Sequence, residues 1–166
     1  ENDGEERLDP SIKPHPDLSQ LDAEAIKNIV REAGIVGLGG ATFPTHAKLS
    51  PPRDKKIEAL IINGCECEPY LTCDHRLMVE EPERVVFGTR ALMKALGIEK
   101  AFIGIETNKP DAIAALEKAS AEYPGIEVIP VAYKYPQGSE RQLITAITGK
   151  QVPANGLPMD VGIVVN

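Results

Sequence analysis

A chain of 166 residues is of ordinary domain size and long enough to bury its own core. Hydrophobic residues make up 42% and charged residues 26%, but aromatics only 4% with no tryptophan, so the core must be aliphatic. The formal net charge of -7 argues against an extended surface for nucleic acid or anionic membrane, and no apolar run approaches the roughly 18 to 20 residues of a membrane helix.

Residues 1–17 are acidic and contain proline, and are expected to form a flexible lead-in. The absence of an initial methionine, with a last predicted strand close to the final residue, suggests a piece of a longer protein. Ser19 reads as a helix cap, with Asp22 reaching back from the third helical position. Leu21, Ala25, Ile26, Ile29, Val30 and Ala33 then form one apolar helical face that Gly34 ends.

The next segment, 34–49, packs four glycines into seven residues and runs through Phe43 and Pro44 to Lys48. Glycines this dense let backbone N–H groups approach an anion without side-chain obstruction. Pro44 has the character of a first-turn helix residue, and Lys48 lies one turn further on. The loop suits a phosphate carried on a nucleotide or flavin. It is not a Walker loop, because no lysine follows the glycines at that spacing. It is not a dinucleotide fingerprint either, since Thr42 stands where the third glycine belongs. A plain helix stop and turn is the alternative reading of the same residues.

After a polar link over 50–56, residues 57–62 form a short apolar run of strand length. A helix is predicted over 82–96 with Gly97 as its stop, and a strand over 101–106. A further helix spans 109–123 with Asn108 as cap, followed by a strand over 127–131. Ser139 and Gln142 form a capping box opening a helix that Gly149 closes, and 161–165 is the fourth strand. This alternation predicts an α/β, Rossmann-like three-layer domain with a four-stranded, mostly parallel sheet flanked by helices. Ligands in such sheets bind outside the carboxyl ends of the strands.

Two loops there are chemically unusual, 63–69 and 133–140. Glu66 and Glu68, two apart in extended chain, are expected to project together. A carboxylate pair can bind ribose hydroxyls, hold a metal or act as acid and base; it also suits a solvated turn. Glu140 suits a ligand role or the positive end of a helix dipole. Cys65, Cys67, Cys73 and His75 do not have the spacing of a common structural zinc site, so reduced thiols and no metal are expected. Three thiols at this spacing match no ferredoxin run.

Taken together and in order, segments 34–49, 63–69 and 135–140 resemble the flavin- and NADH-binding loops of the Rnf electron-transport complex, in its C subunit (RnfC). They are more distantly similar to the NADH-oxidising flavoprotein subunit of respiratory complex I. The resemblance runs from residue 18 to 166 and implies an FMN- and NADH-binding domain over that range. It implies that Gly37, Gly39, Gly40 and Lys48 hold the FMN phosphate, with Phe43 against the adenine or ring side of the nucleotide. Asn63, Glu66 and Glu68 would line the flavin ring and nicotinamide end. Tyr135, Gly138 and Glu140 match a Tyr-x-x-Gly-Glu-Glu segment, and Asn166 matches an asparagine that contacts FMN. Glu140 and Glu68 take the catalytic assignment.

Three departures stand out. Leu38 replaces an arginine of the complex I loop, Cys65 an acidic residue, and Ser139 the first of two glutamates. The segments 45–49 and 136–140 favour the Rnf branch. The implied activity is hydride transfer from NADH to FMN, with electrons leaving through [4Fe-4S] clusters that lie beyond this sequence. The implied setting is a peripheral subunit on the cytoplasmic side of a membrane complex, with the other subunits as partners. A non-catalytic nucleotide-binding module and a docking domain are the alternatives.

Overall fold

The structure is a computed structural model that describes residues 17–37 and 42–166. Gly39 and Gly40, with the lead-in up to residue 16, lie outside the described residues.

Asp17 caps a short 3-10 turn over Leu18–Gln20, and Asp22 caps α1, Ala23–Glu32, by accepting the Ala25 N–H at 2.8 Å. The expected cap at Ser19 is therefore displaced by one aspartate on each side of it. Gly34 closes α1 in the left-handed conformation with φ +67°, donating to Arg31 while Ile35 donates to Val30. A one-turn helix α2 (Thr45–Lys48) leads to β1 (Ala59–Asn63). Then come α3 (Cys73–Glu80), α4 (Pro82–Leu96), β2 (Ala101–Glu106), α5 (Pro110–Ser120), β3 (Ile126–Val131), α6 (Glu140–Thr148) and β4 (Ile163–Val165).

All four predicted strands pair in one sheet, in the order β3-β2-β1-β4, and every pairing is parallel. Alternate residues face opposite sides. Leu60, Ile103, Ile105 and Val164 pack with Met78, Val86 and Leu116 from α3, α4 and α5. Ala59, Ile61, Ile163 and Val165 pack with Leu143 and Ile144 of α6. Gly104 lets α6 close on β2, since a Cβ there would stand 2.9 Å from both Leu143 and Ile147. Pro130 is tolerated because β3 is an edge strand, paired on one side only. A third cluster, Ile26, Val30, Leu49 and Ala95, fastens α1 and the end of α2 to α4.

Two expected caps are corrected. Lys109, not Asn108, occupies the cap position of α5, and Ser139 precedes α6 without a side-chain capping bond. Helix α3 has no counterpart among the predicted elements. Among the described residues, no helix is long and apolar enough to cross a membrane.

Candidate functional site at the carboxyl edge of the sheet

The strand order places β2 and β3 on one side of β1 and β4 on the other. The chain thus reverses its winding direction at β1 and β4, and the carboxyl ends of these two strands bound the crevice where such sheets bind ligands. Asn63 ends β1 and Asn166 follows β4; the Asn63 N–H donates to the Asn166 carbonyl at 2.8 Å.

The glycine segment reaches this crevice through α2. Its base is closed by an antiparallel bridge between Val36 and Pro44, with the Gly37 N–H donating to the Phe43 carbonyl at 3.0 Å. The Thr45 N–H, first in α2, donates to Ile35. These two amides are therefore engaged within the protein, and Pro44 stands one residue before the helix. Gly37 contributes room instead of a donor: a Cβ there would lie 3.2 Å from the Lys48 ammonium nitrogen. Lys48 is half-buried and donates to the Val165 carbonyl at 3.0 Å, while the Thr45 hydroxyl donates to Asn166 Oδ1 at 3.0 Å. An ammonium carries three N–H donors, and among the described residues only Val165 takes one of them, beside Gly37. Phe43 is exposed next to this segment.

The two glutamates of the β1 loop do not share an environment. Glu66 is only 8% exposed, and its carboxylate accepts the Asp74 N–H at 2.8 Å and the His75 N–H at 3.4 Å. It caps α3 from outside the helix, a role that opposes the positive end of the helix dipole with a negative charge. Glu68 is exposed. The expected pair therefore divides into a structural carboxylate and a solvent-facing one. Burial, with the Glu66 charge beside it, raises the Asp74 carboxyl above the ordinary range.

Behind this loop stands a residue that sequence reasoning missed. Glu106 ends β2 with 0% exposure, and its carboxylate accepts from Lys109 Nζ at 2.7 Å, the Glu66 N–H at 3.2 Å and the Cys67 thiol at 3.4 Å. The available signal was a glutamate ending an otherwise apolar strand, with a lysine three residues on, just before a helix-opening proline.

The β3–α6 connection folds onto the same loop. Asn63 Nδ2 donates to the Gly138 carbonyl at 2.8 Å, and the Gly138 N–H donates to Cys67 Sγ at 3.1 Å. A Cβ on Gly138 would stand 3.1 Å from Cys65 Cβ and 3.3 Å from Cys67 Sγ. Tyr135 is exposed, as is Glu140, the first residue of α6.

The three cysteines are unpaired thiols. Burial, reinforced by the Glu106 charge, pushes Cys65 up to about 12, and burial also raises Cys67. His75 is drawn away to Asp111 at 2.8 Å. Among the described residues, Glu66, Cys73 and Asp74 bring three potential ligand atoms within 4.8 Å of one another. Two open clefts of about 480 and 540 Å³ lie by Lys55, Lys150 and Asp160, and by Arg90, Tyr123 and Gly125. These residues border the opposite, amino-terminal edge of the sheet.

A family model described as the Nuo51 FMN-binding domain matches residues 30–166. The chain belongs to this family. It is 57% identical over 165 residues to the C subunit of the Na(+)-translocating ferredoxin:NAD(+) oxidoreductase complex of Acetobacterium woodii, covering 99% of this chain and 37% of that protein. It is 51% identical over 165 residues to the C subunit of the proton-translocating ferredoxin:NAD(+) oxidoreductase complex of Clostridium ljungdahlii, covering 99% of this chain and 36% of that protein. The resemblance to the Rnf family is thus borne out, and the chain spans just over a third of these relatives. Among solved structures, an NAD+-reducing [NiFe]-hydrogenase in the air-oxidised state matches with a TM-score of 0.71 and 30% identity, covering 87% of this chain and 28% of that one.

Proposed function

We propose that this domain holds FMN in the crevice between β1 and β4 and exchanges hydride with NADH there. In this reading it is the nucleotide-binding core of a subunit of an ion-translocating electron-transport complex. Bound FMN supplies the conversion between two-electron and one-electron transfer, with iron–sulfur clusters outside this sequence taking single electrons. The observation that carries the reading is the convergence of Lys48, Thr45, Asn63 and Asn166 on that crevice in a chain of the FMN-binding family.

Lys48 offers a positive charge to a phosphate, with two of its three donors uncommitted among the described residues, and Gly37 keeps the space beside it clear. Gly39 and Gly40 are assigned to the same phosphate on sequence grounds. Asn63 and Asn166 present polar groups at the two strand ends. Glu68, Tyr135 and Glu140 lie on the exposed rim and are assigned to the nicotinamide end, with Phe43 against the ring or adenine. Glu66 supports that rim indirectly by fixing the start of α3. The relatives' names give NAD+ as acceptor, so the site is assigned hydride transfer in either direction.

The proposed partners are the other subunits of such a complex, with this domain peripheral on the cytoplasmic side of the membrane. Purified full-length subunit is expected to release FMN on acid treatment and to reduce a dye with NADH. Colourless protein without NADH-dependent reduction would overturn the reading. FMN without NADH turnover would leave a non-catalytic nucleotide-binding module.

A further inference from the structure

We propose that Cys67 is a positioning residue whose thiol sets the spacing between the loop bearing Glu68 and the loop bearing Glu140. The proposal rests on the assignment of those loops to the nicotinamide end of the site. The thiol stands between two fixed partners: it donates to Glu106 Oε1 at 3.4 Å and accepts the Gly138 N–H at 3.1 Å. Glu106 cannot follow a moving loop, because Lys109 and the Glu66 N–H hold its other oxygen at the end of a central strand. Gly138 in turn lies so close to Cys65 and Cys67 that a Cβ would crowd both. Donating and accepting at once requires the neutral thiol, and burial favours that form.

Only Ser139 separates Gly138 from Glu140, and Cys67 directly precedes Glu68. The Gly138–Cys67–Glu106 chain of bonds therefore fixes one carboxylate-bearing loop relative to the other. Asn63 makes the second tie, to the Gly138 carbonyl, so the peptide units on both sides of Gly138 are held.

Cys67→Ala removes both bonds, while Cys67→Ser keeps a group that donates and accepts. The test is amide hydrogen exchange across residues 134–140 of the full-length subunit, beside steady-state NADH kinetics of the same preparations. Exchange at Gly138 is expected to accelerate about three- to tenfold in Cys67→Ala and to stay near the original rate in Cys67→Ser. KM for NADH is expected to rise in Cys67→Ala by a larger factor than kcat falls, and to recover in Cys67→Ser. Unchanged Gly138 exchange in Cys67→Ala would overturn the proposal. So would unchanged KM despite faster exchange, or a serine variant as impaired as the alanine one, which would assign Cys67 to volume alone. An unsubstituted subunit that does not oxidise NADH would defeat the functional reading instead, and the exchange comparison would still decide the tie.

Discussion

The side-chain amide of Asn63 donates to the Gly138 carbonyl at 2.8 Å while its Oδ1 accepts the Cys65 N–H at 3.2 Å. One residue thus turns the chain out of β1 and binds the turn to the β3–α6 connection. Asn63→Asp retains the acceptor but presents a carboxylate to the Gly138 carbonyl, leaving two acceptors face to face. A loss of about 1 to 3 kcal/mol is expected, read as a lower denaturation midpoint. Asn63→Ser, which is shorter but still a donor, is expected to lose less. An aspartate variant as stable as the original protein would show that the tie contributes nothing.

The Glu106–Lys109 pair is buried at both ends, with side-chain exposures of 0% and 7%. Desolvation opposes such pairs, so their net contribution is small, but removing one partner strands the other charge. Glu106→Ala is therefore expected to cost about 3 to 5 kcal/mol. Replacing both residues with methionine is expected to cost less than that single change. Denaturation of the single and double variants checks it, and equal losses would contradict it.

Cys65 gives the fold an alkaline limit. Its ordinary value is 9.0, and burial with the Glu106 charge holds it near 12 in the folded protein. Between these values the unfolded chain gives up the proton first, so unfolding releases protons and stability falls as pH rises. The contribution is intact below about pH 9 and is lost by about pH 12, amounting to roughly 4 kcal/mol. The slope of stability against pH in that window is expected to be shallower in Cys65→Ala. Exposed Cys73 is expected to react with an alkylating reagent before Cys65 does, as followed by mass spectrometry of the cysteine peptides.

Strands β1 to β4 were legible because buried parallel strands are short apolar runs, and 82–96 matched α4 to the residue. Helix α3 was not legible, because its cap comes from Glu66, seven residues before Cys73. No local cap marks its start, and Met78 is the one buried residue it contributes. The same distant contact explains why Glu66 and Glu68 looked like a pair: their spacing is visible in sequence, but the helix that engages one of them is not. The glycine segment was legible as a phosphate-loop candidate. Its Val36–Pro44 closure, which engages the Gly37 N–H, depends on pairing across the loop and left no local signal. Cys67 was hidden for a related reason, since its partners Glu106 and Gly138 stand 39 and 71 residues away, whereas Glu106 carried a local signal in Lys109.

The central claim is that Lys48 and the glycine segment hold the phosphate of FMN. Its most direct test is a fluorescence titration of FMN against flavin-free full-length subunit, comparing the original protein with Lys48→Met, which keeps the aliphatic stem and removes the charge. Losing one charge-assisted contact of about 1.5 to 3 kcal/mol predicts binding weaker by roughly ten- to hundredfold. The loss should shrink for riboflavin, which lacks the phosphate. FMN affinity unchanged in Lys48→Met would contradict the account.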